Sequence, residues 1–323
     1  MKRRQLVLAG LSAGVLAALG AGQAGCQSAA SAKLRVGLLP IVDSLPLYVA
    51  ETEGLFKAQS VDVELTLFAS AFERDAALQA GQLDLVLNDL VSATLLNKDA
   101  DRVRVIRLAY RGNPSMPMMI ILAAPGSQIK SAADLKGKTV AISGNTVIEY
   151  STDRLLEAAG LAASDVTKTE VTKIPVRAEM LAKGQVSAAT LPEPLASLAE
   201  QQGAQRILDD GTSGIGLSVI TARSDAIQKS SADLKKLLTA YERAVEALAA
   251  APDKYRGLFV DKAKIPDSLR DKLKVPSYPK AQVPTREDVA AVQRWAKTKG
   301  LVPAELVYEK MVDASLLPSA GPK

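Results

Sequence analysis

Two short stretches place acidic or amide side chains directly after apolar runs. Asn88 and Asp89 end LDLVLND, and Glu193 follows SAATLP. Ligands of open α/β sheets bind beyond the carboxyl ends of the strands, so these residues are candidate ligand contacts. A carboxylate turned into a cleft of low dielectric needs a donor to pair with. The pattern therefore predicts a small organic molecule with amine, amide or ring N–H donors, ahead of nitrate or a simple sulfonate. Glu193 is its expected anchor, with Asp89 opposite.

Other candidate contacts lie at predicted strand ends and helix starts. VDSLP follows the first predicted strand, so Asp43 and Ser44 are expected to point into the cleft, with capping of the next helix as the alternative for Ser44. Ser70 and Thr146 each stand three residues before a glutamate, which is capping-box spacing, so ligand binding and helix capping are equally supported there. The complete set of predicted ligand-binding residues is Asp43, Ser44, Ser70, Phe72, Asn88, Asp89, Asn145, Thr146 and Glu193.

The sequence contains no histidine and a single cysteine. Histidine is the usual general base and proton shuttle, and it is the commonest transition-metal ligand. Hydrolytic mechanisms built on Ser-His-Asp or Cys-His are therefore excluded, while a carboxylate or lysine mechanism stays open. We predict no catalytic residue, no metal site and no cofactor.

The lone cysteine, Cys26, follows an apolar run near the start of the chain. Three basic residues at positions 2–4 precede LVLAGLSAGVLAALGAG, and small residues stand directly before the cysteine. This order is typical of a secretory signal, and QAGC resembles the processing box of bacterial lipoproteins, whose cysteine is acylated. Residues 1–25 are therefore predicted to be a lipoprotein signal peptide, Cys26 the lipidation site and residues 26–33 a flexible tether. The alternative is a plain signal peptide cut nearby.

The charge of the chain argues against a nucleic-acid partner. The formal net charge of +5 falls to +2 without residues 1–25, because that segment has three basic residues and no acidic ones. A nearly neutral chain with few aromatic residues and no basic runs lacks the features of nucleic-acid-binding proteins. We therefore expect no nucleic acid among its partners.

Apolar, strand-like runs alternate with helical stretches, which is typical of parallel sheets with crossover helices. One series extends from LRVGLLP to RVRVIRLAY and a second from KTVAIS to AQRILDDG. The glycine-rich GTSGIG is interpreted as a hinge. After the next predicted strand, LSVITARSDAI, the chain is expected to be mostly helical, including AELVYEKMVDASLL. The predicted fold class is α/β.

The two series contain a related unit. RDAALQAGQLDLVLND and RAEMLAKGQVSAATLPE align from Arg74 and Arg177, and each combines a helix, a glycine that ends it and a buried strand. The simplest architecture with two such units has two α/β lobes that face each other across a cleft. Both arginines lie just inside a helix, where solvent is their expected environment.

Four ordered stretches resemble the solute-binding proteins of ABC importers, in the group for nitrate, sulfonates, taurine and thiamine pyrimidines. They are LRVGLLPIVDSLPLYVAETEGLF, ALQAGQLDLVLNDLVSATLL, KTVAISGNTVIEY and EMLAKGQVSAATLPEPLASLAEQQGA. The resemblance implies a two-lobed type II periplasmic-binding-protein fold with two crossovers and a helical C-terminal tail. It also implies closure around a small organic solute, followed by delivery to a membrane permease.

The resemblance implies that residues 34–115 and 219–323 form lobe 1 and that residues 116–218 form lobe 2. The implied partners are the permease subunits of an ABC importer and, through the lipid anchor, a membrane. The implied location is the periplasmic or exterior side of the cell membrane. The alternative function is an exported enzyme on the same fold that acts on a pyrimidine-like small molecule.

Overall fold

The computed structural model of the protein describes residues 33–272 and 274–318. The predicted signal peptide and Cys26 lie outside these residues, as does the predicted tether except for its last residue. The strands are β1 (Leu34–Leu38), β2 (Val63–Leu67), β3 (Leu85–Asp89), β4 (Val103–Arg111), β5 (Met119–Ala123), β6 (Thr139–Ile142), β7 (Thr167–Glu170), β8 (Ala188–Pro192), β9 (Gln205–Asp209) and β10 (Leu217–Arg223). The helices are α1 (Leu45–Thr52), α2 (Leu55–Ala58), α3 (Ala71–Gln79), α4 (Leu90–Leu96), α5 (Val147–Ala158), α6 (Ile174–Ala182), α7 (Leu195–Gln201), α8 (Ser224–Ala250), α9 (Arg256–Ala263), α10 (Arg286–Thr298) and α11 (Tyr308–Met311). Within the described ranges, no helix is both long and apolar enough to cross a membrane.

The first sheet has the strand order β2-β1-β3-β10-β4. β1 pairs in parallel with β2 and β3, whereas β10 runs antiparallel to β3 and β4. Helices α3 and α4 pack on β3, and α4 and α8 pack on β10. These central strands are therefore buried along nearly their whole length, which explains their apolar sequences.

The second sheet has the order β7-β6-β8-β5-β9, and all five of its strands come from residues 119–209. β6 pairs in parallel with β7 and β8, and β5 runs antiparallel to β8 and β9. The chain passes from one sheet to the other twice, through residues 112–118 and 210–216. The predicted α/β fold with two crossovers is confirmed, and GTSGIG lies in the second crossover.

β10 begins before the predicted end of the middle segment. Leu217 and Ser218, which the sequence-based boundary grouped with residues 116–218, already pair with Arg111 and Tyr110 of β4. They therefore belong to the first sheet. The apolar pattern does not show where a crossover ends and a strand begins when both are rich in small and apolar residues.

The carboxylate of Asp210 joins the two crossovers. Its Oδ1 accepts hydrogen bonds from the backbone N–H groups of Met118 and Met119 at 2.8 and 3.1 Å, and its Oδ2 accepts one from Gly216 at 2.8 Å. A Cβ atom at position 216 would collide with that Oδ2, so the close approach requires glycine. Burial raises the pKa of Asp210.

The two units that align from Arg74 and Arg177 share their local geometry. Gly81 follows α3 and Gly184 follows α6, with φ angles of +75° and +66°. In each unit the next backbone N–H donates to the carbonyl five residues earlier, at 3.0 Å for Gln82 and 2.9 Å for Gln185. Both helices thus end in the same glycine-dependent cap.

The C-terminal region is less helical than predicted. Of AELVYEKMVDASLL, only α11 is α-helical, and a 3₁₀ turn follows at Ala314–Leu316. Val312 forms a β-bridge with Val105, and the Asp313 N–H donates to the Val105 carbonyl at 2.9 Å. Pairing with β4 replaces the helical hydrogen bonds here. The predicted strand LSVITARSDAI also ends early, because α8 begins at Ser224.

Candidate functional site

A cavity, here called the central cavity, is lined by residues from both sheets. Asn88 and Asp89 at the end of β3 and Pro192 at the end of β8 form part of its wall, together with Thr146 and Ile174 at the starts of α5 and α6. The carboxyl ends of strands from both sheets thus meet at this cavity, which is where ligands of open α/β sheets bind.

The two antiparallel strands complete this wall. β5 and β10 run opposite to their neighbours, so their first residues lie beside the carboxyl ends of the parallel strands. Met119 pairs with Pro192, Ser218 pairs with Asp89, and both Met119 and Ser218 line the central cavity. The sequence analysis missed these residues, because an apolar run does not reveal the direction in which its strand pairs.

Arg74, in the first turn of α3, lines the central cavity and is 1% exposed. Its Nη1 donates to the carbonyl of Leu87 in β3 at 2.8 Å, and its Nε donates to the Asp75 carboxylate at 2.8 Å. Its Nη2 is buried and has no hydrogen-bond partner among the residues that the structure describes. The guanidinium is thus fixed by its own helix and strand, with one N–H₂ group left for a ligand.

Arg177 repeats this arrangement on the second sheet and is 0% exposed. Its Nε donates to the carbonyl of Thr190 in β8 at 2.9 Å, and its Nη1 donates to the Val171 carbonyl at 2.6 Å. Its Nη2 is also buried and unpartnered within the described chain. Burial lowers the pKa of Arg177 to about 10, which leaves the group charged at neutral pH. The expectation that Arg74 and Arg177 are solvated was wrong.

Two buried guanidinium atoms of the central cavity therefore lack partners in the described part of the protein: Nη2 of Arg74 and Nη2 of Arg177. A buried polar group without a hydrogen bond costs about 1–3 kcal/mol, more if it is charged. The Ser218 hydroxyl also lines the cavity, and its hydrogen bond to the Asp43 carboxylate lowers the pKa of Asp43, against the larger effect of burial. Each unpartnered Nη2 can donate to a ligand oxygen.

Asn88 and Asp89 are two of the predicted site residues, and both line the central cavity. Their side chains also form hydrogen bonds within the first sheet and its helices. Asn88 accepts from the Thr221 hydroxyl at 2.6 Å and donates to the Ser92 hydroxyl at 3.2 Å. Asp89 accepts from the Ser92 N–H at 2.9 Å and so caps α4. Burial raises the pKa of Asp89 to about 6, and the charge of Arg74 acts in the opposite direction.

A wider space, here called the mouth, adjoins the central cavity. The two share Ala71, Asp89, Ser143, Thr146 and Thr172, and the empty space of the mouth is about 1300 Å³ with open solvent included. Among the predicted site residues, the mouth brings together Phe72, Asn145, Asp89 and Thr146. Thr146 also caps α5 by accepting from the Ile148 N–H at 3.1 Å.

Within the described chain, the other four predicted residues line neither the central cavity nor the mouth. Ser44 donates to the Leu39 carbonyl at 2.9 Å and makes no side-chain cap to α1. Ser70 caps α3 by accepting from the Glu73 N–H at 3.2 Å. Asp43 is buried, and this burial raises its pKa to about 6.

Glu193 is the fourth of these residues. It accepts from the Ser197 N–H in α7 at 3.1 Å, and its Oε1 lies 3.8 Å from Nη2 of Arg206 in β9. Burial raises the pKa of Glu193. Its carboxylate is directed to α7 and β9, and its role as the ligand anchor stays a prediction.

No group of three or more acidic or cysteine side chains in residues 33–272 and 274–318 is arranged to hold a metal ion.

One sequence signal for the pair Arg74 and Arg177 did exist: the internal alignment begins at both arginines. A helix needs no arginine in its first turn, so the repeated position indicated a shared role outside the helix.

Residues 42–255, well over half of the chain, match the family model described as NMT1/THI5 like. A curated Escherichia coli protein named for the binding of aliphatic sulfonates is 30% identical over 211 residues. The aligned part is 62% of this chain and 62% of that protein, so the match spans less than two thirds of the relative's length.

Solved structures with the same architecture include two binding proteins. The alkanesulfonate-binding protein SsuA from Xanthomonas axonopodis pv. citri, bound to MOPS, has a TM-score of 0.74 at 20% identity and covers 88% of this chain and 99% of that one. The periplasmic nitrate-binding protein NrtA from Synechocystis has a TM-score of 0.70 at 14% identity, with 88% and 87% covered. These likenesses establish the fold, which is the periplasmic-binding-protein fold expected from the sequence.

Proposed function

Because the chain belongs to the NMT1/THI5-like family, we propose that it is the solute-binding component of an ABC importer and binds a small organic anion in the central cavity. The observation that carries this proposal is the pair of buried guanidinium groups, one from each sheet. Each donates to a backbone carbonyl of its own sheet and keeps one unpartnered Nη2 at the cavity.

The charge balance of the cavity favours an anion over the amine-bearing solute expected from the sequence. Arg74 is paired with Asp75 at 2.8 Å, whereas the hydrogen bonds of Arg177 go to two carbonyl groups. Burial of the charged Arg177 side chain costs solvation free energy, and the dipoles of the two carbonyl groups only partly offset this cost. Asp89 brings a carboxylate to the same wall, but it accepts from the Ser92 N–H and leaves Nη2 of Arg177 without a partner. A solute with one negative charge would pair with this arginine, whereas a cationic solute would not.

The cavity wall also favours an organic solute with a sulfonate group. Leu39, Ile41, Met118, Ile148 and Ile174 supply an apolar surface beside the arginines. Two of the three proteins described above are named for sulfonates, which combine three oxygens and one negative charge with an organic group, and the third is named for nitrate. We therefore place the sulfonate oxygens at Arg74 and Arg177.

We propose a binding protein rather than an enzyme. The chain has no histidine, and the two arginines of the central cavity are donors fixed by backbone carbonyls, an arrangement suited to holding an anion. The carboxylate on the same wall, Asp89, accepts from the Ser92 N–H and caps α4. These roles support capture and release of an unchanged solute.

The proposed mechanism is closure of two lobes around the solute. Among the described residues, we assign 34–115, 217–272 and 274–318 to lobe 1 and 116–216 to lobe 2, which moves Leu217 and Ser218 to lobe 1. The two crossovers clamped by Asp210 would act as the hinge. The trapped solute would then pass to the permease subunits of the importer.

The location of the protein follows from the start of the sequence. We propose that residues 1–25 direct export and that lipidated Cys26 holds the protein on the periplasmic or exterior side of the membrane. A metabolically incorporated fatty-acid analogue should label the unaltered protein and leave Cys26→Ser unlabelled. Labelling of Cys26→Ser would contradict the lipid anchor.

Calorimetric titration with an alkanesulfonate tests the binding function directly. Arg177→Gln should weaken binding by about 30-fold or more, because loss of one partner from a buried charged hydrogen bond costs about 2–5 kcal/mol. Arg206→Gln, which changes a half-exposed arginine outside the cavity, is the matched control and should bind as before. Arg177→Lys keeps the charge and is a second variant if Arg177→Gln is unstable.

Two outcomes would contradict the proposal. One is an unaltered protein to which neither alkanesulfonate nor nitrate binds. The other is chemical change of the bound solute, detected by mass spectrometry after incubation, which would favour the alternative of an exported enzyme.

A further inference from the structure

We infer that the mouth binds the organic tail of the same solute, and that Phe72 makes the protein selective for monoanionic sulfonates with an aromatic or long alkyl tail. This inference rests on the proposed function, since it places the sulfonate head group at Arg74 and Arg177.

The direction of the tail follows from the chemistry of the head group. The three oxygens of a sulfonate lie on one side of the sulfur atom, and the carbon chain leaves from the opposite side. When the oxygens contact Arg74 and Arg177, the carbon chain points away from the guanidinium groups. Five residues line both the central cavity and the mouth, so the mouth is the adjoining space into which such a chain can continue.

Phe72 is placed to meet this tail. Its side chain is 73% exposed and lines the mouth, two residues before Arg74 on the same helix. Leu95, Leu96 and Leu301 add apolar surface to the mouth. Contact with a tail removes apolar surface from water on both partners, at about 25 cal/mol per Å². One turn of α3 thus contributes to both ends of the solute.

The charges around the mouth limit the tail to one without a second anionic group. The Glu170 carboxylate lines the mouth and accepts from the Gly144 N–H at 2.7 Å. Asp89 and Lys98 line the mouth as well, and so does Asp75, whose charge is paired with Arg74. The two remaining carboxylates, Glu170 and Asp89, outnumber the single ammonium group and repel a negative tail. The inferred solutes are therefore monoanions, and a disulfonate should bind poorly.

Titration with a series of sulfonates tests the role of the mouth. The probes are methanesulfonate, octanesulfonate, naphthalenesulfonate and naphthalenedisulfonate, used with the unaltered protein and with Phe72→Ala. Val307→Ala, which shortens an exposed apolar side chain outside the mouth, is the matched control. Thermal unfolding of each variant establishes that the fold is retained.

In the unaltered protein, octanesulfonate and naphthalenesulfonate should bind at least tenfold more tightly than methanesulfonate, and naphthalenedisulfonate should bind more weakly than naphthalenesulfonate. Phe72→Ala should bind octanesulfonate and naphthalenesulfonate about tenfold more weakly than the unaltered protein does. Its affinity for methanesulfonate should stay within about twofold. Val307→Ala should not change any of these affinities.

Equal affinities across the series, or an equal loss for every probe in Phe72→Ala, would overturn the inference. If methanesulfonate binds and Arg177→Gln abolishes its binding while Phe72→Ala leaves naphthalenesulfonate unaffected, only the tail site is refuted. If the unaltered protein binds none of the sulfonates, both the tail site and the proposed function are refuted.

Discussion

The indole N–H of Trp295 on α10 donates to the Asp153 carboxylate on α5 at 2.9 Å. This hydrogen bond joins the two halves of the molecule, because α10 packs on α4 of the first sheet and α5 packs on strands of the second. The ring of Tyr150 on α5 also meets the indole edge-on, with 5.4 Å between ring centroids. Movement of one sheet against the other must change the surroundings of the indole.

Trp295 should therefore report closure of the cleft by its fluorescence. It is the only tryptophan in the chain and is 5% exposed. If the solute stabilises the closed form, adding an alkanesulfonate should shift the emission to shorter wavelength, with the same midpoint as the calorimetric titration. Emission that stays constant while calorimetry records binding would contradict closure at this contact.

The raised pKa of Asp89 leads us to expect that the affinity for an anion depends on pH. Its pKa is raised to about 6 by burial, with Arg74 opposing. Below that value the carboxyl is neutral, and above it a negative charge stands on the cavity wall. Affinity for a sulfonate should therefore fall as the pH rises through about 6, on the order of tenfold in all. Calorimetry at several pH values measures this slope.

The matched variants for this pH dependence are Asp89→Asn and Glu193→Gln. Asp89→Asn should flatten the profile. Glu193 has a pKa raised by burial as well but does not line the described cavity wall, so Glu193→Gln should keep the slope. Asp43→Asn is unsuitable as this control, because Asp43 hydrogen-bonds with Ser218 of that wall. A profile that is already flat in the unaltered protein would show that Asp89 does not face the bound anion.

Asp210→Asn should destabilise the protein by about 1–3 kcal/mol, because one carboxylate oxygen is replaced by a donor that faces backbone donors. The groups affected are the N–H groups of Met118, Met119 and Gly216. Urea unfolding gives the free energy of unfolding. Asp99→Asn, on the surface, is the control and should stay within about 0.5 kcal/mol. Equal urea midpoints for the two variants would refute the clamp.

Glu193→Gln should leave sulfonate affinity within about twofold of the unaltered protein. Glutamine can still accept from the Ser197 N–H, and the partly exposed contact with Arg206 contributes little. The same titration separates the two interpretations of the site, since a ligand anchored by this carboxylate would bind far more weakly. A large loss of sulfonate affinity would restore Glu193 to the site.

Most of the fold could be predicted from the sequence, because alternating strands and helices leave a periodic apolar pattern. The pattern also located the crossover at GTSGIG and the repeated unit with its glycines, Gly81 and Gly184. It could not distinguish a strand end from a helix start at LSVITARSDAI. It also failed at Val312, where pairing with β4 outweighed a local helical periodicity.

The site was less predictable, since polar residues at strand ends have two roles that look alike in sequence. Asp89 and Thr146 line the cavity and cap helices, whereas Glu193 caps a helix and pairs with Arg206. Arg74 and Arg177 were expected in solvent because both lie just inside a helix. Their burial depends on carbonyl acceptors in neighbouring strands, which no local sequence pattern encodes.

The position of β10 determines the order in which the two sheets can be completed. The strands of the second sheet form one continuous segment, residues 119–209, whereas the first sheet needs β10, from Leu217 onward, to join β3 to β4. During synthesis the sheet that is begun first is therefore finished last. Until β10 is made, β3 and β4 each keep an unpaired edge that can pair wrongly. A chain stopped before residue 217 would contain one whole sheet and another in two pieces.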